Sequence, residues 1–463
     1  MKHAKNIPSL FLAALAVSCG PKDPAPIAEI NTEYSVFNGD TIFTRIDYMY
    51  LKSSSIAVGD TVKMYGDIKL HDRPLVNPDL STMKNNSDPE LTEKSLKYLA
   101  IGSGISAGYR DGGYFNEGIM TSFPNLIARQ LGIEKFEQPL FDKSDYNGFG
   151  RNLPTERNPG GGPAPKFKRV SNNTGFKGIV NGRLIPREIT KNMKEIDNWA
   201  RPGATMNALN YGVNYSGDPF FARMKLGLVP MLYTYHAQKS DLFTIEFCDD
   251  VFMGAANTSS NFFNAGGPNG EHGLYTLLKL FAAEGRKGCI ANIPDPSDFP
   301  YFKFITMKQL KSGLGKNYME GISENISKGG FLVRPSKGMD SLASTKIPFG
   351  IKVKPNNPFN DLNRTRMSVE DNNVNITAFA KENGYPVVDL KLLYDRIIQG
   401  KYFTVDGVRV DPSYPNGNFF SNDGIYPTAF GQAVIANEFI KTLNNFYKVN
   451  IPLIKTKAYL DVR

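Results

Sequence analysis

Cysteine is scarce in this chain, with three residues among 463, at positions 19, 248 and 289. Two of them, Cys248 and Cys289, fall in the body of the chain, which excludes a disulfide scaffold as its source of stability. Long hydrophobic runs are also lacking. The one extended run, Ile7 to Val17, is shorter than the roughly 20 residues that span a bilayer. Following Lys2 and Lys5, it has the form of an export signal over residues 1–18, to be absent from the mature protein. Charge of one sign is not concentrated either: the net +9, or +7 without Lys2 and Lys5, is mild for this length. It reads as a solvated basic surface with no nucleic-acid partner, although it suits anionic lipid headgroups. A single Trp stands beside 22 Tyr and 31 Phe, most of which belong in a core. No internal repeat is evident.

What is present begins at the signal's end. Leu15-Ala16-Val17-Ser18-Cys19 resembles a relaxed bacterial lipobox, which marks Cys19 for lipidation. The following Gly20 to Ile27, GPKDPAPI, is Pro-rich and polar, as a tether between an anchored lipid and a folded body requires. From Glu29 to about Leu70, short runs rich in Tyr, Val, Ile and Phe alternate with turn signals at Asn38-Gly39-Asp40 and Val58-Gly59-Asp60, predicting a small β-rich segment. His71 to Glu93 reads as linker. Residues 19–94 thus form tether, β-rich segment and linker, and 95–463 the main domain, a length that suits one large core with additions.

Within that domain, Leu96 to Ile101 predicts a buried strand running into a Gly-rich turn, Gly102 to Gly108. A helix is expected over Pro124 to Leu131, with Pro in its first turn and Gly132 just past its end. Phe243 to Phe247, Gly288 to Ile293 and Tyr385 to Leu390 read as further strands, and Leu274 to Glu284 and Val374 to Asn383 as helices. Alternating strands and helices argue for an α/β domain with a covered parallel sheet. Between about 136 and 195 the pattern breaks into Gly, Pro and basic residues, including Asn158 to Pro163 and Lys166, Lys168 and Arg169, as an insertion does.

Four blocks within residues 96–447 carry chemistry. Residues 100–109 read AIGSGISAGY, residues 198–209 NWARPGATMNAL, residues 243–251 FTIEFCDDV and residues 421–440 SNDGIYPTAFGQAVIANEFI. In this order they resemble the motifs of the SGNH/GDSL hydrolases, serine esterases and lipases, in their bacterial lipoprotein branch. The first block of that family is Gly-[Asp/Asn]-Ser-Leu-[Ser/Thr]-x-Gly, and Gly104 falls on the nucleophile. The second has the form Asn-x-x-x-Pro-Gly-Ala, in which Gly203 would supply a backbone N–H to the oxyanion hole. The third, Gly-x-Asn-Asp, puts Asp249 at the Asn position. The last, Asp-x-x-His, keeps Asp423 but has Tyr426 in place of the base. The resemblance implies a three-layer α/β/α sandwich with a parallel, flavodoxin-like sheet, whose site lies at strand C-termini near a topological switch.

Each substitution removes a different chemical capacity. Gly104 has no heteroatom with which to form an acyl-enzyme. An ionised Asp249 accepts hydrogen bonds where an Asn would donate to an oxyanion. Tyr426, with an unperturbed pKa near ~10, stays protonated at neutral pH. Ser103 and Ser106 are alternative hydroxyls; their expected role is to hydrogen-bond the turn backbone. Asp423 is expected to survive as an acceptor for the turn or the following helix start. His236 and His272 show no triad or metal spacing, and Asp249, Asp250, Asp295 and Asp298 repeat no ligand pattern. No metal or cofactor is expected.

The resulting expectation is a catalytically inactive SGNH-like lipoprotein of the bacterial outer membrane, carrying palmitate-type acylation at Cys19. It would serve as a binding or assembly subunit beside an outer-membrane protein, on the periplasmic or cell-surface face. The alternatives are an esterase or deacylase with a displaced nucleophile, and capture of a lipid or glycan in the vestigial cleft.

Overall fold

The computed structural model describes residues 35–37, 40–42, 57–60, 70, 74, 77–85, 96–154, 167–170, 172–180, 183–210, 219–224, 230–256, 272–303, 331–333 and 359–460. The Ile7–Val17 run, Cys19, the tether, the Asn158–Pro163 stretch and Lys166 lie outside them. Among the described residues no helix is long and apolar enough to cross a membrane.

The strands, in chain order, are β1 (Ser35–Phe37), β2 (Asp40–Ile42), β3 (Ala57–Asp60), β4 (Tyr98–Gly102), β5 (Asn152–Pro154), β6 (Phe167–Val170), β7 (Phe176–Val180), β8 (Arg183–Pro186), β9 (Leu242–Glu246), β10 (Lys287–Ala291), β11 (Phe331–Val333), β12 (Phe359–Asp361) and β13 (Val387–Val388). The fold is α/β, built on a four-stranded, wholly parallel sheet in the order β13-β10-β9-β4. In register, Ile101 sits beside Ile245 and Gly102 beside Glu246, while Cys289 faces Thr244. Every residue of β4 and β9 is buried, which is why both read as continuous runs rather than alternating ones. The outer edge of β4 is not bare. Ala100 donates its N–H to Asp197 O (2.9 Å), Trp199 to Ala100 O (2.8 Å) and Arg201 to Gly102 O (3.1 Å), so residues 197–201 run parallel alongside it.

The helices are α1 (Gly104–Ala107), α2 (Asn116–Met120), α3 (Phe123–Gln130), α4 (Asn207–Asn210), α5 (Pro219–Arg223), α6 (Met231–His236), α7 (Asp249–Ala256), α8 (Gly273–Ala283), α9 (Leu362–Glu382), α10 (Leu390–Ile398) and α11 (Ala429–Tyr447). The α3 helix has Pro124 in its first turn and Gly132 at φ 73° beyond its end, as its punctuation requires. It packs on α11, where the Phe123 and Phe439 rings stack with centroids 4.4 Å apart. Elsewhere α8 meets the sheet through Phe281 on Phe243, 4.8 Å between centroids, and α9 lies along α8.

Three elements differ from the sequence reading. Helix α9 begins at Leu362, well before Val374, and its early buried positions are Thr365, Ser368, Val369 and Asn372. Small polar residues form much of that contact face, so apolar periodicity does not mark it. The Tyr385 to Leu390 run contributes only Val387 and Val388 to the sheet, because Asp389 ends it by capping α10, its carboxylate accepting from Leu392 N–H (3.0 Å). The insertion is not irregular throughout. Strand β6 pairs in parallel with β3 and antiparallel with β5, so the N-terminal β-rich segment and the insertion share one three-stranded sheet. Antiparallel β7 and β8 follow. Lys and Arg within such strands hide them from a reading based on apolar runs.

Candidate functional site

The adjacent ends of β4 and β9 turn away from the sheet together, and all four sequence blocks meet there. At the end of β4, Gly102 admits a contact no side chain would allow. A Cβ there would stand 2.4 Å from Ser106 Oγ and 2.6 Å from Glu246 O. Immediately beyond, the Ser103–Ala107 turn wraps the Glu246 carboxylate. Ser103 Oγ donates to Glu246 Oε1 (2.6 Å), and Ser106 donates both its N–H and its hydroxyl to Oε2 (each 2.9 Å). Cys248 N–H closes back onto Oε1 (2.5 Å). A carboxylate ringed by donors in a fully buried site is an internal post for the turn, and its lone pairs are consumed.

Asp249 opens helix α7, and its carboxylate is fully buried. Its Oδ2 accepts from Gly104 N–H (2.9 Å) and from Gly203 N–H (2.7 Å), while the Tyr426 hydroxyl donates to Oδ1. Two backbone donors, one of them the Gly203 N–H expected at an oxyanion hole, therefore converge on one point, and that point is occupied by the chain's own carboxylate. Burial pushes Asp249 up to about 7, with the Glu246 charge adding to the rise and the three donors opposing it. Asp249 thus holds a proton more readily than the ionised carboxylate expected from the sequence, while its oxygens serve as acceptors. Gly203 holds its N–H toward the site from a left-handed backbone, φ 74°. The segment after it is pinned by Asp250, whose Oδ2 accepts from Met206 N–H (2.7 Å).

Above Gly104 lies the ring of Tyr426. A Cβ on residue 104 would stand 2.4 Å from Tyr426 Cε1 and 2.7 Å from Cζ. The ring has no space to leave: it is buried, edge-on to Tyr109 (centroids 5.0 Å) and to Phe252 (6.1 Å). Burial, and then the nearby Asp249 charge, hold the phenol well above its ordinary pKa. Residue 104 thus offers no heteroatom, and the volume its side chain would need is filled by the Tyr426 ring.

Asp423 is the anchor of this last loop. Its Oδ1 accepts from Ile425 N–H (2.9 Å) and Tyr426 N–H (2.8 Å), and its Oδ2 reaches across to Gly112 N–H (3.0 Å). Burial raises it to about 7 against those bonds. The start of α11 is capped instead by Thr428, whose side chain accepts from Gly431 N–H (3.0 Å).

The remaining candidates lie elsewhere or are structural. Ser103 and Ser106 are fully buried on Glu246. His236 contacts Glu284 (2.9 Å), and His272 caps α8 by accepting from Leu274 N–H (3.3 Å), with burial lowering it to about 4. Asp295 caps the 296–298 turn and pairs with Arg366 (3.4 Å), and Asp298 pairs with Lys303 (2.8 Å). Among the described residues no group of three His, Cys, Asp or Glu could hold a metal. Cys248 and Cys289 are free and buried. Glu246 was missed by the sequence reading, though an acid closing the apolar strand Leu242–Glu246, at the C-terminal end where sites form, is itself a signal. No family model, curated protein or solved structure matches this chain.

Proposed function

We propose that this protein is a non-catalytic SGNH-like lipoprotein, anchored through Cys19 in a bacterial outer membrane, that acts as a binding or assembly subunit of a membrane protein complex. One observation carries the loss of catalysis. The Asp249 carboxylate sits on the N–H groups of Gly104 and Gly203, and the Tyr426 ring occupies the volume a residue-104 side chain would need. A substrate carbonyl thus finds its donors taken and its nucleophile absent. Support for the SGNH frame comes from the sheet. If the edge segment 197–201 is counted as the second strand, the order becomes 2-1-3-4-5, the flavodoxin-like order, with the site at its switch point. A three-layer α/β/α sandwich follows from that frame. The assembly role rests on the retention of this frame without its chemistry, together with the lipobox.

A fluorophosphonate probe tests the first half: the purified protein should remain unlabelled. Stoichiometric labelling at Ser103 or Ser106 would instead establish the displaced-nucleophile esterase. For the second half, mild detergent extraction of native membranes should recover the chain with stoichiometric membrane-protein companions. Recovery as a lone monomer overturns the assembly role, and a co-purifying lipid or glycan without protein companions points to ligand capture.

A further inference from the structure

The chain between α10 and the last block forms a second built surface, away from the four blocks. Residues 402–410 make a tight hairpin in which Phe403 pairs with Arg409, Thr404 N–H bonds Val408 O (2.9 Å) and Gly407 turns the tip at φ 80°. The tip is pinned from behind. Asp406 accepts from Thr404 Oγ1 (2.6 Å), Thr456 Oγ1 (2.6 Å) and Lys457 N–H (2.8 Å). So held, the hairpin presents Phe403 (61% exposed) and Val405 (68%) to solvent. Beside it opens a pocket of about 640 Å³, flanked by Leu392 (44% exposed) on α10.

Exposed charge around this apolar tip is mostly cationic, with Asp406 the one exposed acid of the hairpin. Arg396, Lys401, Arg409, Lys455 and Lys457 are exposed about it. The nearby acids are engaged by local partners: Asp395 by Lys391 (2.8 Å), Glu438 by Lys441 (2.7 Å) and Tyr402, Asp411 by Ser413 N–H (2.9 Å) and the Arg409 charge, and Asp406 by the three bonds to Thr404, Thr456 and Lys457. Two exposed apolar side chains on a pinned hairpin, with exposed cations in the neighbouring segments, match the interfacial zone of an anionic bilayer. There apolar tips sit among the acyl-chain ends and cations meet headgroup phosphates. We propose that the 402–410 hairpin is a membrane-contact element that inserts Phe403 and Val405 into an anionic lipid surface and so orients the anchored protein upon it. This rests on the membrane-anchored reading above.

The test uses the full chain with Cys19→Ser, so that its outcome is independent of the anchor; acylation of Cys19 in the unaltered chain is read separately from the mass of its N-terminal peptide. Val405→Cys provides a labelling position, the native Cys248 and Cys289 being fully buried. An environment-sensitive fluorophore there should brighten and shift to the blue on vesicles of phosphatidylcholine with phosphatidylglycerol, and not on phosphatidylcholine alone. The same fluorophore at Tyr233→Cys, exposed on α6, should not respond. Arg396→Gln with Lys401→Gln should weaken the response by roughly tenfold at low salt, and Phe403→Ser should also weaken it by about tenfold. Silence at position 405, an equal response at position 233, or a response only to detergent-solubilised membrane proteins would each overturn the proposal, the last in favour of a protein partner.

Discussion

Gly104 and Tyr426 are a matched pair, and neither position can be understood alone. A serine introduced at 104 meets the Tyr426 ring at 2.4 Å, and because that ring is buried among Tyr109 and Phe252, relief must come from the backbone. Gly104→Ser should therefore cost about 1–3 kcal/mol in chemical denaturation. Combined with Tyr426→His, it should cost less than the sum of the two single changes by about 1 kcal/mol or more, as a double-mutant cycle measures. Simple additivity would show that the ring does not fill the space of a residue-104 side chain. The hydroxyl has its own contribution. Tyr426→Phe leaves one Asp249 oxygen without its donor, and a loss of about 1–3 kcal/mol is expected in the same assay. That residue 104 is a glycine and residue 426 a tyrosine could be read from the letters, which are local. That the phenol donates to the carboxylate at the third block could not, since those residues stand far apart in the chain and meet only through folding.

At the scale of elements, the junction of β4 and β9 is held together by Glu246, a residue of the third block. Its carboxylate takes donors from the Ser103–Ala107 turn and from Cys248, joining the first and third blocks. Glu246→Ala strands two hydroxyls and two N–H groups in a dry site. It should lower stability by about 3 kcal/mol or more, whereas Glu246→Gln, which keeps an acceptor oxygen, should lose less. Equal effects of the two changes, read from urea titrations, would show that packing rather than hydrogen bonding sets the junction. Strands β4, β9 and β10 were legible because near-complete burial on both faces selects mostly apolar residues without alternation. Helix α3 was legible from its Pro and Gly punctuation. The first half of α9 was not, because Thr365, Ser368 and Asn372 face its neighbours. The edge segment 197–201 was also hidden: its pairing with β4 is made by backbone groups, which carry no sequence signature.

For the whole molecule, two buried acids set the sign of the pH dependence in one window. Asp249 and Asp423 are raised from 3.8 to about 7 in the fold, so between those values the native state holds protons that the unfolded chain releases. Stability from these groups is present below about pH 4 and is lost as pH rises toward 7, with a slope of up to about 1.4 kcal/mol per pH unit for each. Urea titrations should therefore find the protein less stable at pH 7.5 than at pH 5, and Asp249→Asn should reduce that difference by about half. Greater stability at pH 7.5 in the unaltered chain would contradict the assignment.

By itself, the sequence determined the α/β class, the positions of the main strands and the absence of a serine at 104 and a histidine at 426. These follow from residue identity and short-range pattern, which burial and backbone geometry translate directly into structure. Only the tertiary structure decided that Asp249 fills the N–H cradle of Gly104 and Gly203, that Glu246 posts the first turn, and that the insertion and the N-terminal segment share a sheet. Those arrangements are contacts across long sequence separations. Their energies come from desolvation and from donors meeting acceptors, and neither exists until the chain has closed around them.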